Sequence, residues 1–161
     1  MVAATRTWTG AGGDALWGTA ANWQENVAPI DGDDLVFPAG GSVTVTNNLP
    51  NLRVRSLSIS ASRNITGAAI QIEKGITLMA EWWPPKTEVQ LDLPMRVLEE
   101  QVWTVPGNAS LQTSANGTIE LVSAQLKFSM ALSASPVVDL QGQISGSGGL
   151  TTLNGNGTRM A

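Results

Sequence analysis

A chain of 161 residues fits one domain, and its composition, 42% apolar and 14% charged with 17 glycines and 8 prolines spread along it, describes a turn-rich globular protein and not a disordered one. A net charge of −4 with nine scattered Lys and Arg leaves no basic patch for a nucleic-acid backbone, and no apolar run approaches the roughly 20 residues that span a bilayer. With no cysteine and no histidine, disulfides, thiolate metal sites, cysteine nucleophiles and the commonest general base are excluded as well.

Taken in chain order, the opening residues lack the basic start and apolar core of a signal peptide, so export would require a leader already removed. Trp8, Trp17 and Trp23 then stand among glycines and small residues, and the first β-type run is 34–37. Further runs are predicted at 42–46, 53–60, 69–73 and 76–79, then at 88–93, 101–105, 109–112, 118–122, 126–130 and 137–140. Recurrence at about 8 to 14 residues with Gly, Asn and Pro between the runs is an all-β signature. Apolar residues alternate in several runs, as in Val54, Leu57 and Ile59, in Ile70 and Ile72, and in Val89, Leu91 and Leu93, which predicts one buried and one wet side. Residues 95–103 have room for one helical turn, but Val97, Val102 and the flanking Pro94 and Pro106 disfavour it.

Segments 72–78 and 105–111 each place an apolar residue, a glycine and a small-hydroxyl-Leu strand in the same order, and both are expected to turn one corner of a repeating coil. Asn64, Asn108, Asn116 and Asn156 all match the N-glycosylation pattern, but Asn and Gly also suit the left-handed backbone of coil corners, which is the preferred reading. These features leave a parallel β-helix and a β-sandwich both open.

Two end motifs separate them. The opening reads Thr7-Trp8-Thr9-Gly10, Leu16-Trp17, Ala21-Asn22-Trp23, Pro29 and Gly32-Asp33-Asp34-Leu35-Val36-Phe37; the end reads Gly148-Gly149-Leu150-Thr151 followed by Asn154-Gly155-Asn156-Gly157-Thr158. Together they resemble bacterial secreted proteins built from autotransporter-associated β-strand repeats. The resemblance covers about the first 37 and the last 19 residues directly, and it breaks off at Arg159-Met160-Ala161, where the family's apolar strand and Asn-Thr-Tyr-x-Gly turn would follow. It implies a right-handed parallel β-helix outside the cell, secreted or on the cell surface, with no cofactor and no general catalytic residues. One solenoid domain over 1–161 is expected, with a Trp-rich cap and first strand in 1–40 and coils in 41–161 truncated within a repeat. Coils of about 20 to 25 residues would make five or six turns.

Candidate sites are few. Trp8, Trp17 and Trp23 would form either an aromatic platform for sugar rings or a plug for the end of the core, and a solenoid terminus needs the plug. Trp82 and Trp83, followed by Pro84 and Pro85, cannot both enter one strand face, so one indole is expected to point outward as a loop contact, partner contact or ligand platform. Asp31, Asp33 and Asp34 offer oxygen ligands for Ca²⁺, though without the ordered series of an EF-hand, and a turn into the strand at 34–37 is the simpler reading. Adjacent Glu99 and Glu100 would face opposite sides, and Asp92 and Asp139 stand alone, so no acid–base pair for glycan cleavage is visible. The expected function is a non-catalytic structural or adhesive scaffold able to self-associate through its ends. The alternatives are a carbohydrate-binding module and, further off, a fragment of a β-helical polysaccharide-acting enzyme.

Overall fold

The computed structural model describes residues 3–40, 43–79, 86–131 and 135–153. Strand β1 (Thr5–Thr7) lies in an entry segment that also holds one 3-10 turn at Ala20–Asn22. The first coil then runs through β2 (Asp34–Phe37), β3 (Thr44–Asn47) and the start of β4 (Leu52–Ile59). β4 bends at Arg55 and its second half opens the next coil, followed by β5 (Arg63–Gly67) and the start of β6 (Ile70–Leu78). The third coil is the rest of β6, β7 (Thr87–Asp92) and β8 (Met95–Val97). The fourth is β9 (Gln101–Val105), β10 (Ala109–Thr113) and β11 (Ile119–Leu121). The fifth is β12 (Gln125–Met130), β13 (Val137–Leu140) and β14 (Ile144–Gly146), after which β15 (Gly149–Leu153) returns to the starting face.

The result is a β-solenoid of about five turns with parallel faces. The first face stacks β1, β2, the second half of β4, the second half of β6, β9, β12 and β15. The second stacks β3, β5, β7, β10 and β13. The third stacks the first halves of β4 and β6 with β8, β11 and β14. The register pairs Asp34–Ser56, Ser56–Gly75, Thr77–Thr104, Gln101–Leu126 and Gln125–Gly149 make successive repeats of 22, 19, 27, 25 and 24 residues. All these strand pairs are parallel, which rules out the β-sandwich, whose hairpins require antiparallel neighbours.

Alternation turns into ladders because strands stacked in register put like positions on top of one another. Leu35, Leu57 and Ile76 form one inward column, Val45, Ile65 and Leu91 another, and Leu52, Ile70, Met95 and Ile119 a third, all buried. Each such side chain contributes about 1.5 to 3 kcal/mol by leaving water. Trp103 and Phe128, paired in register, fill the later coils edge to face with centroids 5.6 Å apart. Several corners between faces take only two or three residues, as at 60–62, 68–69, 93–94 and 98–100. Gly67 (φ 110°) takes such a corner, and a Cβ there would press on the Asn47 carbonyl of the coil before it.

Three expectations need correction. Segments 72–78 and 105–111 do not turn the same corner: the former joins the third face to the first, the latter the first to the second. Asn64 lies inside β5, and neither it nor Asn108 or Asn116 has a left-handed backbone, which among the described non-glycine residues falls to Asn26, Asn51 and Ser123; Asn156 lies outside the described residues. The two runs at 69–73 and 76–79 are one strand, β6, bent where Glu73 and Lys74 oppose the single residue Arg55. Segment 95–103 is two strands and a corner, with no helical turn.

Candidate functional site

The end of the solenoid formed by the entry segment is where the sequence-predicted residues converge. A strand at the end of a coil stack exposes unpaired N–H and C=O groups, a template for another chain. Here each face is covered. β1 pairs with β2 on the first face. On the second, Trp17 N donates to Thr46 O (3.0 Å) and Thr46 N to Ala15 O (2.8 Å). On the third, Gly32 N donates to Arg53 O (2.7 Å) and Arg55 N to Asp33 O (2.9 Å).

Beneath this rim sit Trp8, Trp17 and Trp23, all buried, packed on one another and on Phe37 with centroids 5.1 to 6.4 Å apart. The near-perpendicular contacts of Trp23 with Trp8 (85°) and Trp17 (82°) set ring edges against ring faces, the favoured geometry for indoles. Trp23 Nε1 donates to Trp17 O at 2.8 Å. With no face open to solvent, these rings offer a pyranose nothing to stack on, and the platform is replaced by the plug. Trp82 and Trp83 lie outside the described residues.

The aspartates do not form a metal centre. Asp33 is buried and accepts hydrogen bonds from Arg6 Nε (2.8 Å), Ala4 N (3.0 Å) and Ile30 N (3.2 Å). Asp34 takes the Arg55 guanidinium in a bidentate contact and the Ser56 hydroxyl, and Asp31 accepts from Arg53 N (3.0 Å). The three carboxylates thus address different partners and lock the cap onto the first two coils; among the described residues no acidic group assembles that would hold an ion. Partial burial pushes the Asp34 carboxyl up, but the hydrogen bonds from Arg55 and Ser56 and the Arg55 charge outweigh it and hold it below the ordinary carboxylate range.

Two organising residues carry no obvious signal in the sequence. Asn22 is buried and its amide donates to Asp14 Oδ1 (2.7 Å) and Leu16 O (3.0 Å) while accepting from Gly12 N (2.8 Å), which ties the glycine loop to the segment bearing Trp17. Asp14 is held below its usual pKa by the Leu16 N–H first, then by the Thr19 hydroxyl and Asn22. Arg63 is 2% exposed, donates through Nη2 to Pro38 O (3.1 Å) and Gly40 O (2.9 Å), and lies 5.4 Å over the Phe37 ring; burial lowers its pKa. The only clue to Asn22 was its place between Ala21 and Trp23 in the opening motif.

Elsewhere Glu73, Glu99, Glu100 and Glu120 pair with cations of adjacent coils. Glu99 pairs with Lys74 of the preceding coil (2.8 Å) and Glu100 with Lys127 of the following one, so the adjacent glutamates split between opposite partners. Asp92 accepts from Ser114 and Asp139 from Gln141. An apolar cavity of about 340 Å³ between cap and first coil is lined by Pro29, Ile30, Leu49, Pro50 and Leu52 with Asp31 at its edge. No protein-family model, curated protein or solved structure matches the chain. No helix among the described residues is long and apolar enough to cross a membrane.

Proposed function

We propose that this chain is the capped start of an extracellular β-solenoid, a structural or adhesive surface scaffold of the kind assembled from autotransporter-associated β-strand repeats, working without catalysis or cofactor. The observation that carries the reading is the asymmetry of the two ends. All three faces are hydrogen-bonded to the entry segment at one end, whereas β13, β14 and β15 are paired on one side only among the described residues. Such a body extends by stacking, each further coil or second copy burying its face on the one before. The ion pairs of Asp34, Glu73, Glu99, Glu100 and Glu120 join adjacent coils, which agrees with a scaffold. Antibodies against the 161-residue chain, applied to intact cells of the producing organism, are expected to label the surface or the medium; antigen confined to the cytoplasm overturns the proposal.

A further inference from the structure

We propose that the outward side of the second face binds a neutral glycan, in a cleft that crosses β5, β7 and β10. The cleft has a volume of about 210 Å³ and is lined by Ser62, Asn64, Glu88, Gln90 and Gln112, with Val43 at one end. Asn64 opposes Gln90, and Gln90 opposes Gln112, so three amides stand in one column across successive coils, about 4.8 Å apart.

What distinguishes this column is that its hydrogen-bonding capacity is unspent. In the neighbouring column the hydroxyls of Thr46 and Thr66 bond across coils at 3.0 Å, and Ser114 bonds to Asp92. On the next coil, Asp139 is taken by Gln141. The side chains of Asn64, Gln90 and Gln112 make no such bond among the described residues, and Asn64 Oδ1 is buried without a donor there. Each amide offers two N–H donors and a carbonyl acceptor, the complement of a sugar hydroxyl that both donates and accepts.

The charge of the lining selects for an uncharged ligand. Its one outward carboxylate, Glu88, repels an acidic sugar, and the one cation beside the cleft, Arg63, points inward with its Nη2 on the Pro38 and Gly40 carbonyls. The ion pairs between described residues lie instead along the first and third faces. Val43, 68% exposed, supplies an apolar patch for the C–H face of a ring. With no described aromatic in the lining, the affinity expected is weak, with Kd on the order of 1 mM.

The test uses the full ¹⁵N-labelled chain titrated with cellohexaose, xylohexaose and maltohexaose, with hexagalacturonate as the charged comparison. Saturable shifts of the Asn64, Gln90 and Gln112 side-chain amide resonances with at least one neutral hexasaccharide are expected, together with roughly tenfold weaker binding by the Gln90→Ala/Gln112→Ala variant. Both residues project from the wall, so that variant should keep its circular dichroism and Tm. Absence of saturable shifts at sugar concentrations on the order of 10 mM overturns the proposal. So do shifts confined to residues away from the cleft, undiminished binding by a folded double variant, or a preference for hexagalacturonate.

Discussion

Trp23 shows how one side chain serves both packing and polarity: its ring touches Trp8, Trp17 and Phe37, and its N–H caps the Trp17 carbonyl. Trp23→Ala would remove the ring and leave that carbonyl without its donor, at a cost of about 3 to 5 kcal/mol. Urea denaturation measures this; a midpoint within error of wild type would mean that the indoles do not hold the cap. Arg63 illustrates the opposite case, a residue opaque in the sequence. It occupies an inward position on β5 two residues before Ile65, so an arginine stands where alternation calls for an aliphatic. The apolar pattern therefore fails at 63–67, and the strand escapes a reading based on period. Only the carbonyls of Pro38 and Gly40 and the Phe37 face, all distant in sequence, explain how a guanidinium is accommodated there.

At the scale of elements, strand pairs are tied by charge as well as by backbone. Arg6 on β1 meets a carboxylate that is wholly buried, Asp33, whereas Arg55 on β4 meets Asp34 at the surface with its own side chain about half exposed. Arg6→Met should therefore cost about 3 to 5 kcal/mol, tempered by the two backbone N–H groups that also reach Asp33, while Arg55→Met, at a solvent-screened pair, should cost clearly less. Equal losses in paired denaturation curves would refute the distinction. The same contacts set the response to acid. Asp14, Asp34 and Glu99 all have folded pKa values below their ordinary 3.8, 3.8 and 4.5, Glu99 through the hydrogen bond and charge of Lys74. A lowered carboxylate pKa adds stability that is complete above the unfolded value and is lost as pH falls through the folded one. Tm should thus be insensitive to these groups near neutrality and fall below about pH 4.5, as scanning calorimetry across that range would reveal. A Tm that rose on acidification would contradict it. The strands at 34–37, 101–105 and 137–140 are legible in the sequence to the residue because short runs of β-branched and apolar residues stand there between clear turn signals. β1, β5 and β8 are not, being short and rich in Thr, Asn, Arg or Met, and their pairing partners lie 20 to 29 residues away.

For the whole molecule, a capped end and an end whose strands are paired on one side only among the described residues limit how copies of the 161-residue chain can associate. Two β13–β15 ends meeting leave only caps outward, so assembly closes at the dimer instead of running on as a fibre. Sedimentation at high protein concentration should show a monomer–dimer equilibrium; an open-ended series of oligomers, or a strict monomer, would count against it. The sequence by itself determined the all-β class, the turn-rich rhythm and the exclusion of thiol and imidazole chemistry, because these depend on residue type and local period. It also carried the end motifs that resemble a solenoid's opening. Only the tertiary structure decided that the three tryptophans are sealed beneath a rim, that the aspartates face separate partners, and that Asn64, Gln90 and Gln112 stand in one column. Those are matters of register between coils, and register is set by stacking residues some 20 to 27 positions apart, a distance at which no local pattern in the chain speaks.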